Sequence, residues 1–382
     1  MKIQTTQNIS LQERINWIRL ARSENVGKST FFRLLDFYGS TQNALEKISE
    51  HAFQGGLGRK IKICLESEAE KELKISQKFG AEIVIFCEEN YPRLLREIDD
   101  PAPILTVKGK VEFLNQYGVA VVGPRNASFN GIAFARKIAA DLGENSLIVT
   151  SGLAKGIDGA AHAAALNSGT IAVIAGGIDH IYPSENTELY HQISKQGLIV
   201  SETPFGMPPK GGNFIQRNRI ISGMSLGVVV VEAGLRSGSL TTARFAAEQG
   251  REVFSVPGSP FDPRCHGTNR LIKEGARLTE GINDILEEIL NMKNLFDKVG
   301  IMQEPDVEDF AMPISKTPSE DDVKKVREEI FSKLSFTPIS IEAIIQELQV
   351  SPRLVNIAVI QLELADKVEV RFGKVGLKRV EI

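Results

Sequence analysis

Cysteine is scarce in this sequence. Cys64, Cys87 and Cys265 are the only three in 382 residues, and none belongs to a C-x-x-C pair. That excludes a disulfide framework and a cysteine-based zinc site. Cys265-His266, the one Cys–His neighbour pair, offers too few ligands for a metal. Long apolar runs are missing too. None reaches the roughly 20 residues of a membrane-crossing helix, and the polar start Met1-Lys-Ile-Gln-Thr-Thr6 has no signal-peptide core. The expected location is therefore the cytoplasm, with no membrane span. Positive charge is not in excess: 45 Lys and Arg against 48 Asp and Glu leave a net charge of −3. Any nucleic-acid site must then be a local patch rather than a general basic field.

What is present is an ordinary globular composition, 42% hydrophobic and 24% charged, in a chain too long for one core, so two or three domains are expected. Residues 1–78 read as a helical domain. Ile15, Ile18 and Leu20, then Phe31, Leu34 and Leu35, recur at helical spacing. Val26-Gly-Lys-Ser-Thr30 imitates the end of a phosphate-binding P-loop, but Arg22 stands where the first glycine is required and no strand precedes it. A tight turn between two helices, of the helix-hairpin-helix or SAM kind, fits better. Such a turn serves as a plain connection or touches a DNA phosphate.

Ala81–Cys87 is a predicted strand, and Tyr91–Leu105 a proline-punctuated connector within 79–117. From Gly118 onward, apolar strands alternate with helix-length segments. The strands are Val119–Val122, Leu147–Thr150, Thr170–Ile174, Leu198–Val200, Val228–Val231 and Val253–Val256; the helices include Ile132–Leu142, Ala160–Leu166, Thr187–Ser194 and Leu240–Glu248. Continuous apolar strands with helical crossovers mean a doubly wound, Rossmann-like parallel sheet covered on both faces, here within a domain spanning 79–290. Residues 291–320 have a linker's composition, and 321–382 suggest a winged helix: three helices and a β-hairpin. Its third helix has little positive charge beyond Arg353, which leaves protein contact or dimer support beside groove reading.

In such a sheet ligands bind at the carboxyl ends of the strands. The first loop there, Val122-Gly-Pro-Arg-Asn-Ala-Ser128, is not G-x-G-x-x-G, because Arg125 replaces the second glycine; a dinucleotide site is unexpected, and Arg125 brings a forked cation suited to phosphate. The second, Ser151-Gly-Leu-Ala-Lys-Gly-Ile-Asp158, runs from strand through a glycine turn into a helix. It reads either as close packing or as an anion cradle capped by Asp158. Lys155 has the wrong spacing for an S-x-x-K nucleophile pair, and His162 reads as a satisfied buried histidine. A further glycine turn, Ala175-Gly-Gly-Ile-Asp-His-Ile-Tyr-Pro183, also suits backbone contacts. Lys210 and Phe214-Ile-Gln-Arg-Asn-Arg219 supply cations, an amide and one aromatic face, the minimum for single-stranded nucleic acid. The alternative is that these arginines pair with Glu202 or Glu232. Val231–Thr242 places Ser237 and Ser239 at another helix start, a second anion cradle. No loop offers paired carboxylates beside a nucleophile or a persuasive Ser/His/Asp set. The chain reads as a binder.

These blocks together resemble the DNA-processing protein A family (DprA, also called Smf). The resemblance runs through Tyr91-Pro-Arg-Leu-Leu95, Val121-Val-Gly-Pro-Arg125, Ser151–Asp158, Ala161-His162, Tyr182-Pro183, Arg217-Asn-Arg-Ile-Ile-Ser-Gly223, Val231-Glu-Ala233, Ser237-Gly-Ser-Leu-Thr-Thr-Ala243 and Val256-Pro-Gly258. It implies a homodimer that binds single-stranded DNA and loads a RecA-type recombinase onto it in natural transformation, displacing or accommodating single-strand-binding protein. By position, it places the DNA pocket at Arg125, Lys210, Phe214, Arg217 and Arg219. With Gly123, Ser128, Lys155, Asn218 and Ser237 from the same loops, these are the candidate DNA-binding residues; no catalytic residue, cofactor or metal is expected. Pro124 and Ile215 depart from the family pattern. Two other readings stand beside this one. Related Rossmann-like hydrolases cleave nucleotide N-glycosidic bonds, but Pro257-Gly-Ser-Pro-Phe-Asp262 lacks their P-G-G-x-G-T-x-x-E glutamate. The other is a protein adaptor with a vestigial pocket.

Overall fold

The computed structural model describes residues 9–301, 319–371 and 373–378. They form two compact units: Glu72–Gln303, and Met1–Lys71 together with Glu304–Ile382. The chain begins with α1 (Leu11–Arg22), α2 (Lys28–Tyr38), α3 (Thr41–Gln54) and α4 (Glu66–Lys78). Ser10 and Ser40 cap α1 and α3 through their hydroxyls, which accept helix-start N–H groups that have no other partner. Gly27 opens α2 after a short turn, and Trp17 packs on Phe31 at 4.9 Å between ring centres.

Next come β1 (Glu82–Ile85), a one-turn α5 (Arg93–Arg96) and β2 (Ile104–Gly109). The doubly wound unit follows: β3 (Gly118–Val122), α6 (Phe129–Glu144), β4 (Ile148–Ser151), α7 (Ile157–Ala165), β5 (Thr170–Ile174), α8 (Thr187–Gln196), β6 (Leu198–Ser201), α9 (Gly211–Gly223), β7 (Gly227–Val230), α10 (Gly238–Glu248), β8 (Glu252–Ser255), α11 (His266–Lys273), β9 (Arg277–Leu278) and α12 (Ile282–Ile301). All nine strands join one sheet in the order β1-β2-β6-β5-β4-β3-β7-β8-β9. From β6 to β9 it is parallel.

Two features differ from the sequence reading. The connector contributes β2, which pairs antiparallel with β6 and carries β1 as an antiparallel edge, so the sheet is mixed. The segment holding Phe214 to Arg219 is helix rather than loop. Of the expected linker, 291–301 belongs to α12 and 302–318 lies outside the described residues.

The central strands bury both faces, which is why they read as unbroken apolar runs. Val119 and Val121 point to one side, against Ala135, Ile138, Ala139 and Leu142 of α6. Ala120 and Val122 point to the other, the side that also buries Ile220 and Ile221 of α9 and Ala243 and Ala246 of α10. Alanine and glycine on these helices permit close approach to the sheet. Among the described residues no helix is long and apolar enough to cross a membrane.

The chain ends with α13 (Glu320–Lys333), β10 (Ile339–Ser340), α14 (Ile341–Leu348), α15 (Pro352–Leu364), β11 (Val368–Arg371) and β12 (Lys374–Leu377). Three helices and a small antiparallel sheet, β10-β12-β11, make a winged helix around Ile330, Ile344, Val355, Val359, Leu362 and Val375.

Candidate nucleic-acid interface

At the carboxyl ends of β3, β4 and β5 lies a cavity of about 450 Å³. Arg125, Gly152, Ala154, Lys155, Tyr182, Phe214 and Arg217 are among its lining residues. The loops that form it pack backbone on backbone. Gly156 holds φ +78°, and a β-carbon there would fall 2.4 Å from the carbonyl oxygen of Pro124 and 2.7 Å from that of Arg125. Only glycine meets both demands.

Asp158, in the first turn of α7, is buried and accepts the N–H of Gly152 at 3.2 Å and of Ala154 at 3.4 Å. Burial pushes its carboxyl up, while Arg217 and the amides of Ala154, Gly152 and Gly123 hold it back. The amides expected to cradle a phosphate therefore already serve an internal carboxylate. The start of α6 repeats the arrangement. Ser128 caps the helix by accepting the Gly131 N–H, and both its own N–H and its hydroxyl donate to Glu232. The amides of these two loops thus already have internal partners, Gly123 and Ser128 are not among the lining residues, and the polar groups the cavity presents include the side chains of Arg125, Tyr182 and Arg217.

Those side chains form one cluster. Arg125 is exposed, lies 5.5 Å from the Phe214 ring centre and 5.8 Å from that of Tyr182, and places Nη1 3.4 Å from the Tyr182 hydroxyl. Tyr182 and Phe214 meet edge to face at 5.4 Å. A guanidinium over two rings is a cation–π arrangement. Arg217 lies one helical turn after Phe214, buried to 8% exposure, and its Nε has no hydrogen-bond partner. Burial and the nearby Arg125 charge lower its guanidinium to about 10, against the pull of Asp158. It remains charged at neutral pH. Lys155 pairs with Glu185 across the rim, each about half exposed.

The remaining expected site residues lie elsewhere. Lys210 is exposed at the N-cap of α9 and is not among the lining residues. Asn218 donates to the carbonyl of Gly238 at 3.3 Å, and Ser237 caps α10. Arg219 is 1% exposed, with Nε 3.1 Å from Asp100 and Nη2 2.5 Å from Glu202. The reason is angular: residues two apart on a helix point to nearly opposite sides. Arg217 turns toward the cavity and Arg219 into the protein, where a carboxylate pair neutralises it.

His162 is fully buried with Nδ1 2.7 Å from the Thr170 hydroxyl. Burial, reinforced by Arg217, lowers it to about 3, so it is neutral at physiological pH and does not reach the cavity lining. Tyr182 was absent from the expected site residues. The signal was available in Tyr182-Pro183 after a glycine turn, but its partnership with Phe214 arises only in the fold.

Comparison with known proteins matches three regions to family models: residues 82–290 to DNA recombination-mediator protein A, 11–74 to the DprA-like N-terminal HHH domain, and 315–374 to the DprA winged helix domain. DNA processing protein DprA of Bacillus subtilis is 42% identical over 213 residues, 55% of this chain and 72% of that protein. Protein Smf of Escherichia coli is 44% identical over 58% of this chain and 60% of its own length, and Protein Smf of Synechocystis 43% over 52% of each. The match thus spans between about half and three fifths of the length of these Smf proteins. The crystal structure of DprA from Streptococcus pneumoniae superposes with a TM-score of 0.61 at 35% identity, covering 74% of this chain and 98% of that one. A Helicobacter pylori structure, described as showing a single-stranded DNA binding mode of DNA processing protein A, gives 0.50 at 28% identity, covering 57% and 96%. With a family model covering more than half of the chain and both flanking domains matched in order, the chain belongs to the DNA recombination-mediator protein A (DprA) family.

Proposed function

We propose that this protein is a cytoplasmic, homodimeric recombination mediator that holds single-stranded DNA in the Arg125–Tyr182–Phe214–Arg217 cavity. It loads a RecA-type recombinase onto that strand during natural transformation, displacing or accommodating single-strand-binding protein. The observation that carries this reading is an edge-to-face pair of rings beneath an exposed guanidinium, together with Arg217, a buried cation whose Nε is unpartnered. The rings offer faces to a base and the two cations offer donors to the flanking phosphate, a combination that tolerates any sequence. Lys210, exposed at the start of α9, extends the positive edge. Arg219 supports the site from within.

Fluorescence anisotropy with a labelled oligonucleotide tests it. Binding should prefer single strands and weaken with salt, because phosphate contacts release counterions. Phe214→Ala and Tyr182→Ala should each cost on the order of 1–3 kcal/mol if a base stacks on them, and their effects should be non-additive because the rings touch. Arg125→Ala should reduce the salt slope by roughly 0.7 for each lost phosphate contact. Unchanged affinity in all three variants rejects the cavity as the DNA site. Incubation with nucleoside monophosphates, followed by a search for released base, separates this reading from a hydrolase.

A further inference from the structure

In a winged helix the third helix is the one that enters a major groove. Here that helix, α15, is buried along two stripes. Val355, Ala358, Val359 and Leu362 belong to the winged-helix core. Ile357, Ile360, Gln361 and Leu364 form a second stripe at i, i+3, i+4, i+7 spacing; none exceeds 5% exposure, and none belongs to that core.

The second stripe faces the chain's own N-terminal helices, since α15 packs on α2 and α3. At Gly55, just past α3, a β-carbon would fall 1.9 Å from the carbonyl oxygen of Gln361 and 2.9 Å from the Ala365 side chain. The two backbones therefore touch. Gln361 Nε2 donates to Gln54 at 2.6 Å and lies 3.1 Å from His51 Nδ1, while its Oε1 accepts from Arg327 at 2.6 Å. Arg33 and Glu363 form an ion pair, 16% and 12% exposed. Asn25, in the turn between α1 and α2, donates to the carbonyl of Leu364 at 2.9 Å. Arg353, the one cation of α15, lies over the Phe37 ring at 5.4 Å.

The third helix, the element with the geometry of a duplex reader, is thus covered by α2 and α3, and the α1–α2 turn reaches its end through Asn25. We propose that α15 is a docking helix whose occupant is this chain's N-terminal helical domain, so that α15 does not read duplex DNA while the two are joined. The polar contacts explain the specificity of the joint. Parting it strips Gln361, Asn25 and the Arg33–Glu363 pair of partners matched in geometry, and uncovers an apolar stripe that no groove accommodates.

Hydrogen exchange on the full-length chain, with and without a 20-base-pair duplex, tests this. Amides of 353–364 should be protected in the free chain and unaffected by the duplex. Gly55→Leu should speed exchange at least tenfold in both 353–364 and 41–54, because one joint guards both. Should that variant also unmask α13, the milder Asn25→Ala with Gln361→Ala decides, and the same coupled loss is expected. Duplex protection of 353–364 in the unaltered chain, or loss in α15 without loss in α3, overturns the proposal.

Discussion

Arg217 lies flat against Gly152: a β-carbon on the glycine would stand 1.6 Å from Nη1 and 2.6 Å from Cζ of the arginine. This places a charged group at the floor of the cavity with Asp158 behind it. The glycine is required for space, since any side chain would occupy the volume of the guanidinium. Gly152→Ala should therefore expel Arg217 and weaken single-stranded DNA binding at least tenfold, about 1.4 kcal/mol or more, with Arg217→Ala giving a similar loss. Anisotropy on both variants checks this. Wild-type affinity in Gly152→Ala would mean that Arg217 does not grip DNA.

Arg219 and Arg125 should fail in opposite ways. Arg219 is buried beside Asp100 and Glu202, and removing one partner of a buried ion pair costs about 3–5 kcal/mol. Arg219→Ala should lower stability by roughly that amount in urea titration while its folded fraction still binds DNA. Arg125 is exposed, so Arg125→Ala should leave stability nearly intact and reduce affinity. The reverse pattern would overturn the assignment of the two arginines.

Glu185 brings an anion to the cavity rim and ties up Lys155. Glu185→Gln keeps the shape, removes the negative charge and releases the lysine, so affinity for single strands should rise severalfold at low salt and less at high salt. A decrease would show that the pair positions the loop rather than restraining it.

His162 makes a prediction about pH. Its ordinary value is 6.5 and its buried value about 3, so between these limits the unfolded chain binds the proton and the folded chain does not. Stability therefore rises with pH across that window and is flat above 6.5, losing at most about 1.4 kcal/mol per pH unit on acidification. His162→Gln should flatten the acid limb of a urea-unfolding series between pH 6.5 and pH 5. An unchanged slope would assign that limb to other groups, of which His51, lowered by burial to about 4 in the other unit, is one.

Much of the sheet was legible because each strand from β3 to β8 is a short apolar run with helix-length segments between. β2 was less so: its prolines pointed to a connector, yet they precede Ile104 and leave its N–H groups free to pair with β6. The cation-and-aromatic composition of α9 identified the site region. It did not separate Arg217 from Arg219; Asp158 as a cap of its own loop was legible, whereas Glu232 taking the N–H and hydroxyl of Ser128 was not.

The sequence by itself determined the local elements and the chemical inventory, since strand, helix, turn and charge are properties of neighbouring residues. Only the tertiary structure decided which groups meet. The rotational setting of α9 turns one arginine to the cavity and the other into the protein; the approach of the β3 and β7 ends hands the N–H and hydroxyl of Ser128 to Glu232; and the fold of a distant segment brings Tyr182 beside Phe214. Each depends on residues far apart in the chain, whose proximity is set by how the helices pack on the sheet and by no local pattern.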